Sequence, residues 1–337
     1  MSAKKKVLAI FGATGNQGGS IISQVLSNPT LSSQYTIRAL TRDPSSASAS
    51  ALRSKGITDI VAADLNNPSG LVDALRGAHT VFLNTASDPS LPWQEAKPSE
   101  RGQGIAAADA CVKAGTVRYL IFSTLPHVER MSKGKYVKVS GFDGKAEAEE
   151  YMRKLSAAPE NKLQTAFFAP GSFMQNWLNV GSHSQKTTDE DGNEVLTVAR
   201  PVSVDTKLPL IDIAADTGKF VGAILASPDE YSGKTLCAAT RLYSMQEICD
   251  ILAKHLSNGN GEGKMVKVKY QQVTGEMFKK FMRGSTYADI LLDMMLYQQD
   301  FGYYGADTEE LVRDAAERAL GDIVQFEEFL EREMPVA

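Results

Sequence analysis

The feature that most constrains this chain is a continuous apolar run, residues 7–11, that ends in Gly12-Ala-Thr-Gly-Asn-Gln-Gly18 and opens into a helical pattern. An unbroken apolar run of this kind suits a strand buried on both faces of a parallel sheet. Its glycines are spaced Gly12-x-x-Gly15-x-x-Gly18. Gly12 permits a tight turn, Gly15 lets backbone approach a pyrophosphate, and Gly18 lets the helix pack close to the strand. The first turn of that helix offers unpaired N–H groups to an anion, and Asn16 and Gln17 add side-chain donors. The competing reading is a loop whose glycines serve packing alone.

The strand–helix alternation continues. Helical patterns cover 20–26, stopped near Asn28-Pro29, then 44–56, 68–76 closed by Gly77, and 101–113 stopped by Gly115. Strands are expected at 35–41, 57–63, 80–84 and 117–123, with a loop at 88–98. This predicts an α/β fold, a doubly wound parallel Rossmann sheet with right-handed crossovers. A polar loop at 124–142, a helix at 143–155 with Glu147, Glu149 and Glu150 exposed, and a sixth strand at 164–168 follow. Beyond residue 170 the alternation weakens. A hairpin turn is expected at 189–192, and 210–226 reads as a strand then a helix returning to the main sheet. A helix at 244–256, a loop at 257–263, a strand at 264–271 and helices at 275–298 and 308–331 complete the pattern. The chain's 337 residues exceed what one compact core usually holds. We therefore expect a dinucleotide-binding Rossmann domain over 1–170, taking in a segment near 205–226, and a smaller mixed α/β lobe over 171–337.

Composition narrows the function classes. A net charge of -4 argues against a large nucleic-acid surface, so no direct nucleic-acid binding is expected. Cys111, Cys237 and Cys249 are widely spaced, which fits a reducing compartment. His79, His127, His183 and His255 lack metal-ligand spacing, so no metal is expected. Residues 7–11 are too short for a signal-peptide core, and no run reaches the roughly 18 apolar residues of a membrane span. The expected location is the cytoplasm, with the nucleus left open. Glu327, Glu328, Glu331 and Glu333 read as an exposed acidic face.

The end of the second strand selects the cofactor. NAD sites usually place an acid there for the ribose 2′-hydroxyl, but this chain reads Thr41-Arg42-Asp43. Arg42 suits a 2′-phosphate, which favours NADP(H). Asp43 is the rival, although it also suits capping a helix that starts at Pro44. Asp64-Leu65 ends the third strand, either beside an adenine or as the first turn of the next helix. Asn84-Thr85-Ala86 ends the fourth, along the ribose and nicotinamide path.

Short-chain dehydrogenases pair a Tyr with a Lys four residues later. Lys145 stands where the lysine belongs, but Gly141 occupies the tyrosine position. Ser123 and Thr124 end the fifth strand within reach of substrate or nicotinamide. Tyr136 and His127 lie in the intervening loop as alternative proton donors, and Tyr151 reads as core. Lys145 is either acid–base or a ribose ligand without chemistry. Phe173, Met174, Trp177, Met294 and Tyr297 are candidates for an apolar substrate pocket.

Three segments resemble the NmrA-like family, atypical relatives of the short-chain dehydrogenases: Val7-Leu-Ala-Ile-Phe-Gly-Ala-Thr-Gly-Asn-Gln-Gly-Gly19, Arg38-Ala-Leu-Thr-Arg-Asp-Pro44 and Phe142-Asp-Gly-Lys-Ala-Glu-Ala-Glu-Glu-Tyr-Met152. The resemblance extends weakly through Phe173-Met-Gln-Asn176 and Cys237-Ala-Ala-Thr-Arg241. It implies NADP binding by Gly12, Ala13, Thr14, Gly15, Asn16, Gln17, Arg42, Asp64, Leu65, Asn84, Thr85, Ala86, Lys145, Phe173, Met174, Gln175 and Asn176. Some members resemble redox sensors that bind the dinucleotide and a regulatory protein. Others resemble oxidoreductases, and a related reductase branch lacks the tyrosine and relies on the matching lysine. Two readings follow. The leading one is an NADP(H)-responsive regulator acting through a protein partner. The alternative is an NADPH-dependent reductase of a small carbonyl or enone, using Lys145 or Tyr136.

Overall fold

The computed structural model describes residues 4–335, apart from 87, 89, 181–184, 259–264, 283, 284 and 286. His183, and the expected 257–263 loop from residue 259 on, lie outside the described residues. The first half alternates as β1 (Lys6–Phe11), α1 (Asn16–Ser27), α2 (Pro29–Gln34), β2 (Tyr35–Thr41), α3 (Ala47–Ser54), β3 (Asp59–Ala62), α4 (Leu71–Leu75) and β4 (Thr80–Leu83). It continues with α5 (Trp93–Ala114), β5 (Tyr119–Ser123), α6 (Val128–Met131), α7 (Ser140–Ala157) and β6 (Gln164–Pro170). Then come β7 (Ser172–Phe173), β8 (Gln185–Thr188), β9 (Glu194–Arg200), β10 (Lys207–Ile211), α8 (Thr217–Ala226), β11 (Thr235–Ala238) and β12 (Arg241–Ser244). The chain closes with α9 (Met245–Asn258), β13 (Val266–Gln272), α10 (Gly275–Phe281), α11 (Tyr287–Phe301), α12 (Thr308–Glu317) and α13 (Phe326–Glu333).

Seven parallel strands form the main sheet in the order β11-β6-β5-β4-β1-β2-β3. Strand order reverses beside β1, the arrangement of a doubly wound Rossmann sheet. Successive residues of a strand face opposite sides. Leu8 and Ile10 accordingly join the core under α1 and α8, whereas Ala9 and Phe11 join the core under α4, α5 and α7. Both faces are covered, which is why the run has no polar interruption. Two small three-stranded sheets, β12-β10-β7 and β13-β9-β8, carry the mixed part of the chain. The 189–192 turn joins β8 to β9 as an antiparallel hairpin.

Several expectations need correction. The 88–98 loop is helical from Trp93, and Pro98 lies inside α5. A missing N–H so near the helix start loses one hydrogen bond, while Ala96, Glu100 and Gln103 gain burial. α7 starts at Ser140, and its Glu147, Glu149 and Glu150 are half-buried and paired with Lys97, Arg153 and Arg130 rather than freely solvated. β10 pairs with β12 and β7, so only α8 of the 210–226 segment returns to the main sheet, and β11 supplies its added strand. The single helix expected over 308–331 is two, because Leu320 N–H turns out to bond Lys219 O and Val324 N–H to bond Asp216. Glu327, Glu328, Glu331 and Glu333 do lie exposed on α13, opposite buried Phe326, Phe329 and Leu330. Among the described residues no helix is long and apolar enough to cross a membrane, and no group of three or more His, Cys, Asp or Glu is arranged to hold a metal.

Candidate functional site

Register brings the sequence-marked residues to one edge. Phe11 pairs with Leu40, Thr41 with Ala62, Ile10 with Phe82, Leu83 with Phe122 and Ser123 with Phe168. The glycine turn, Arg42, the Asp64 loop, Asn84 and Thr124 therefore all leave the carboxyl ends of neighbouring strands. That edge, at the reversal of strand order, is where open α/β sheets hold ligands.

The turn is built as its glycines require. Gly12 has φ +67°, a left-handed conformation, and its carbonyl accepts the Gly15 N–H at 2.9 Å. A Cβ on Gly18 would stand 2.3 Å from Gly12 O, so only glycine lets α1 pack this close. Ala13 is buried in the core and offers only backbone, whereas Thr14, Gly15 and Asn16 are exposed. The start of α1 carries no side-chain cap and no acid in its first turn. Gln17 Oε1 is buried without a hydrogen-bond partner. The first-turn N–H groups form a cradle of anion-compatible donors, whereas the orphaned Gln17 Oε1 is an acceptor and offers an anion nothing.

Arg42 is exposed, and no hydrogen bond or ion pair ties its guanidinium to a described residue. Asp43 does not compete, because its Oδ1 accepts both the Ser45 hydroxyl at 2.5 Å and the Ser45 N–H at 2.8 Å. The Ser45 hydroxyl bond is the main reason this carboxyl sits below its ordinary range. The expected capping role belongs instead to Ser46, whose hydroxyl accepts the Ala49 N–H, and α3 starts after it rather than at Pro44. Asp64 Oδ1 accepts the Asn66 N–H at 3.0 Å, which is a turn-making role, and Leu65 packs half-buried on the core.

Lys145 reaches the end of β4. Its Nζ lies 2.8 Å from Thr85 Oγ1, 2.9 Å from Thr85 O, 3.4 Å from Asn84 Oδ1 and 2.8 Å from Glu100 Oε1. Thr85 also donates its hydroxyl to Glu100 at 2.9 Å. Glu100 is 1% exposed, and sequence reasoning missed it. Gln103 was missed too: its amide accepts the Ala86 N–H and donates to Asn66, joining the ends of the third and fourth strands. The stripe of Gln103, Gly104, Ala107 and Ala108 within the expected helix is the signal that marks Gln103, whereas Glu100 lies just ahead of that helix, next to the stretch read as loop.

Tyr136 is not brought to Lys145. Its hydroxyl donates to Asp300 at 2.6 Å, and its ring packs with Val128, Val139 and Tyr297, where burial raises its pKa. The five residues expected to line one apolar pocket sit in three separate core clusters. Met174 is fully buried in one of them, Gln175 donates to Asp212 at 2.7 Å, Phe173 is half-buried and Asn176 exposed. Thr124 donates to Glu149 at 2.7 Å. His127 caps α6, with its Nδ1 3.1 Å from Asp143 Oδ1.

Sheet order, turn geometry and the gathered carboxyl edge define a Rossmann-fold protein of the doubly wound class. The sequence profile of the NmrA-like family matches residues 4–330, and the chain belongs to that family. It is 31% identical over 261 residues to the NmrA-like family domain-containing oxidoreductase ptmS of Penicillium ochrochloron, covering 75% of this chain and 74% of that one. The structure of NmrA, a negative transcriptional regulator in complex with NADP, superposes with TM-score 0.71 at 21% identity, covering 98% and 96% of the two chains. The NADPH-dependent quinone oxidoreductase QOR2 of Escherichia coli, solved with NADPH, gives TM-score 0.68 at 20% identity, covering 97% and 99%.

Proposed function

We propose that this chain binds NADP(H) along the carboxyl edge of its main sheet and acts as an NADPH-dependent oxidoreductase. The observation that carries the cofactor assignment is the exposed Arg42 guanidinium beyond β2, unpaired among the described residues, with Asp43 engaged in its own turn. A guanidinium there holds a 2′-phosphate through paired N–H donors. The pyrophosphate rests on the open amides of the Gly12–Gly18 turn, and the adenosine side runs toward Asp64 and Leu65. Asn84, Thr85 and Ala86 flank the ribose and nicotinamide end, where Lys145 fixes their backbone. The family resemblance adds Phe173 and Asn176 to this surface, whereas the Gln175 side chain is held by Asp212 and the Ile213 N–H. Bound there, the cofactor supplies a hydride at its nicotinamide. The catalytic reading draws support from the family relative named an oxidoreductase.

The regulator reading keeps one specific observation. Gly141 leaves no tyrosine before Lys145, and the three Nζ donors of Lys145 already face Thr85 Oγ1, Thr85 O and Glu100. A panel of aldehydes, quinones and enones with NADPH separates the two. Turnover above about 0.1 per second supports the enzyme. Tight NADPH binding with no turnover on any member supports the sensor.

A further inference from the structure

β3 and β4 are not neighbours in the main sheet, because β1 and β2 stand between them. At the usual strand spacing the two lie roughly 14 Å apart, so no ladder hydrogen bond joins their ends. Yet the turn after β3 and the segment after β4 carry the proposed contacts at opposite ends of the dinucleotide. One side chain links them. Gln103, buried midway along α5, accepts the Ala86 N–H at 3.1 Å and donates to Ala86 O at 3.3 Å and to Asn66 Oδ1 at 2.9 Å.

The orientation of this amide follows from Ala86. Its N–H can only donate, so Oε1 faces it and Nε2 is left for the two acceptors. Both Nε2 hydrogens are then in use. The amide gives Ala86 what a neighbouring strand would, an acceptor for its N–H and a donor for its C=O, just past the end of β4 at Leu83. Asn66 is fixed from its own side, since its N–H bonds Asp64 Oδ1 at 3.0 Å and the Asn67 N–H bonds Asp64 O at 3.0 Å. Three residues before Gln103, Glu100 accepts the Thr85 hydroxyl at 2.9 Å. Residues three apart share a helix face, so α5 grips Thr85 and Ala86 with consecutive side chains of one face.

Resting on the NADP(H) reading, we infer that Gln103 is a positioning residue for the dinucleotide. It holds the adenosine-side turn at Asp64 and Leu65 in fixed relation to Asn84, Thr85 and Ala86 at the ribose and nicotinamide end. It acts through Asn66 and Ala86 rather than on the ligand. A ligand that spans both segments meets a surface already in place, and less ordering is needed when it binds. A ligand that reaches only one segment gains nothing from the link. A glutamine that merely stabilised the fold would affect both kinds of ligand alike.

The test is calorimetric titration of the full chain with NADPH, which spans both segments, and with adenosine 2′,5′-bisphosphate, which carries the adenosine side alone. Gln103→Met keeps the side-chain length and removes the amide's bonds to Ala86 and Asn66. It is expected to weaken NADPH on the order of tenfold and the bisphosphate by no more than about twofold. Asn66→Ala, at an exposed position, cuts the link and leaves Ala86 paired. It is expected to lower the ratio of NADPH to bisphosphate affinity by about threefold. A wild-type ratio in Asn66→Ala overturns the assignment whether or not Gln103→Met folds, and so does equal weakening of the two ligands in Gln103→Met. Wild type that takes up neither ligand contradicts the cofactor reading itself, and the positioning role falls with it.

Discussion

At the scale of single residues, two adjacent glycines separate close approach from mere permissiveness. A Cβ on Gly18 would meet Gly12 O at 2.3 Å and Ala13 Cα at 2.7 Å, both backbone atoms that cannot swing aside. A Cβ on Gly19 would meet nothing within 4 Å. Gly18→Ala should destabilise the fold by about 1–3 kcal/mol, as overpacking does, and weaken dinucleotide binding. Gly19→Ala should stabilise it by about 0.5–1 kcal/mol, because alanine is the better residue in a helix interior. Urea midpoints of the two variants check this, and equal effects would show that the turn can shift. Residue identity also explains what a reader of the sequence can and cannot see here. The glycine spacing and Arg42 are local, so they are legible. The His127–Asp143 pair depends on α6 folding back over α7, and nothing local announces it.

At the scale of elements, the Lys145–Glu100–Thr85 unit ties α7 and α5 to the end of β4. The helices approach closely enough that a Cβ on Gly144 would stand 2.8 Å from Lys97 O. Lys145→Met removes the buried Nζ contact with Glu100, and should cost about 3–5 kcal/mol. Glu100→Gln should be similarly severe, and the double variant less destabilised than the sum of the two. A urea double-mutant cycle measures the coupling; simple additivity would mean the pair does not hold these elements together. The strands were the most readable elements: β2 spans the expected 35–41, because both faces of the sheet are covered and each apolar run stops at a turn. Lys145 meeting Asn84 and Thr85 is legible from the same alternation. Glu100 is not, since it follows a stretch of Pro, Asp and Ser that reads as loop while packing makes it helix. The small sheets are hard to read because β7 and β10 pair across a long separation in sequence.

At the scale of the whole molecule, the C-terminal segment folds back over α8. Asp216 anchors it, accepting the Val324 N–H at 3.1 Å and pairing with Lys219 at 2.8 Å. Burial pushes the Asp216 carboxyl up to about 6 despite that lysine. The folded chain thus holds this proton more tightly than the unfolded chain, where an Asp titrates near about 3.9. Stability from this group is therefore greatest at low pH, falls as pH rises between about 4 and 6, and stays reduced above that. Asp216→Asn should gain about 2 kcal/mol relative to wild type on going from pH 4.5 to pH 7, read from paired urea melts. A constant difference between the two proteins would show that Asp216 does not titrate in this window.

The central claim, that a dinucleotide phosphate is gripped beyond β2, is most directly tested by calorimetric titration of NADPH and NADH into wild type and Arg42→Gln. Wild type should prefer NADPH, and the variant should lose roughly 10- to 100-fold in NADPH affinity, as befits a lost charge-assisted pair, with NADH binding unchanged. Equal affinity for the two cofactors in wild type, or a preference for NADPH that survives the substitution, would contradict it.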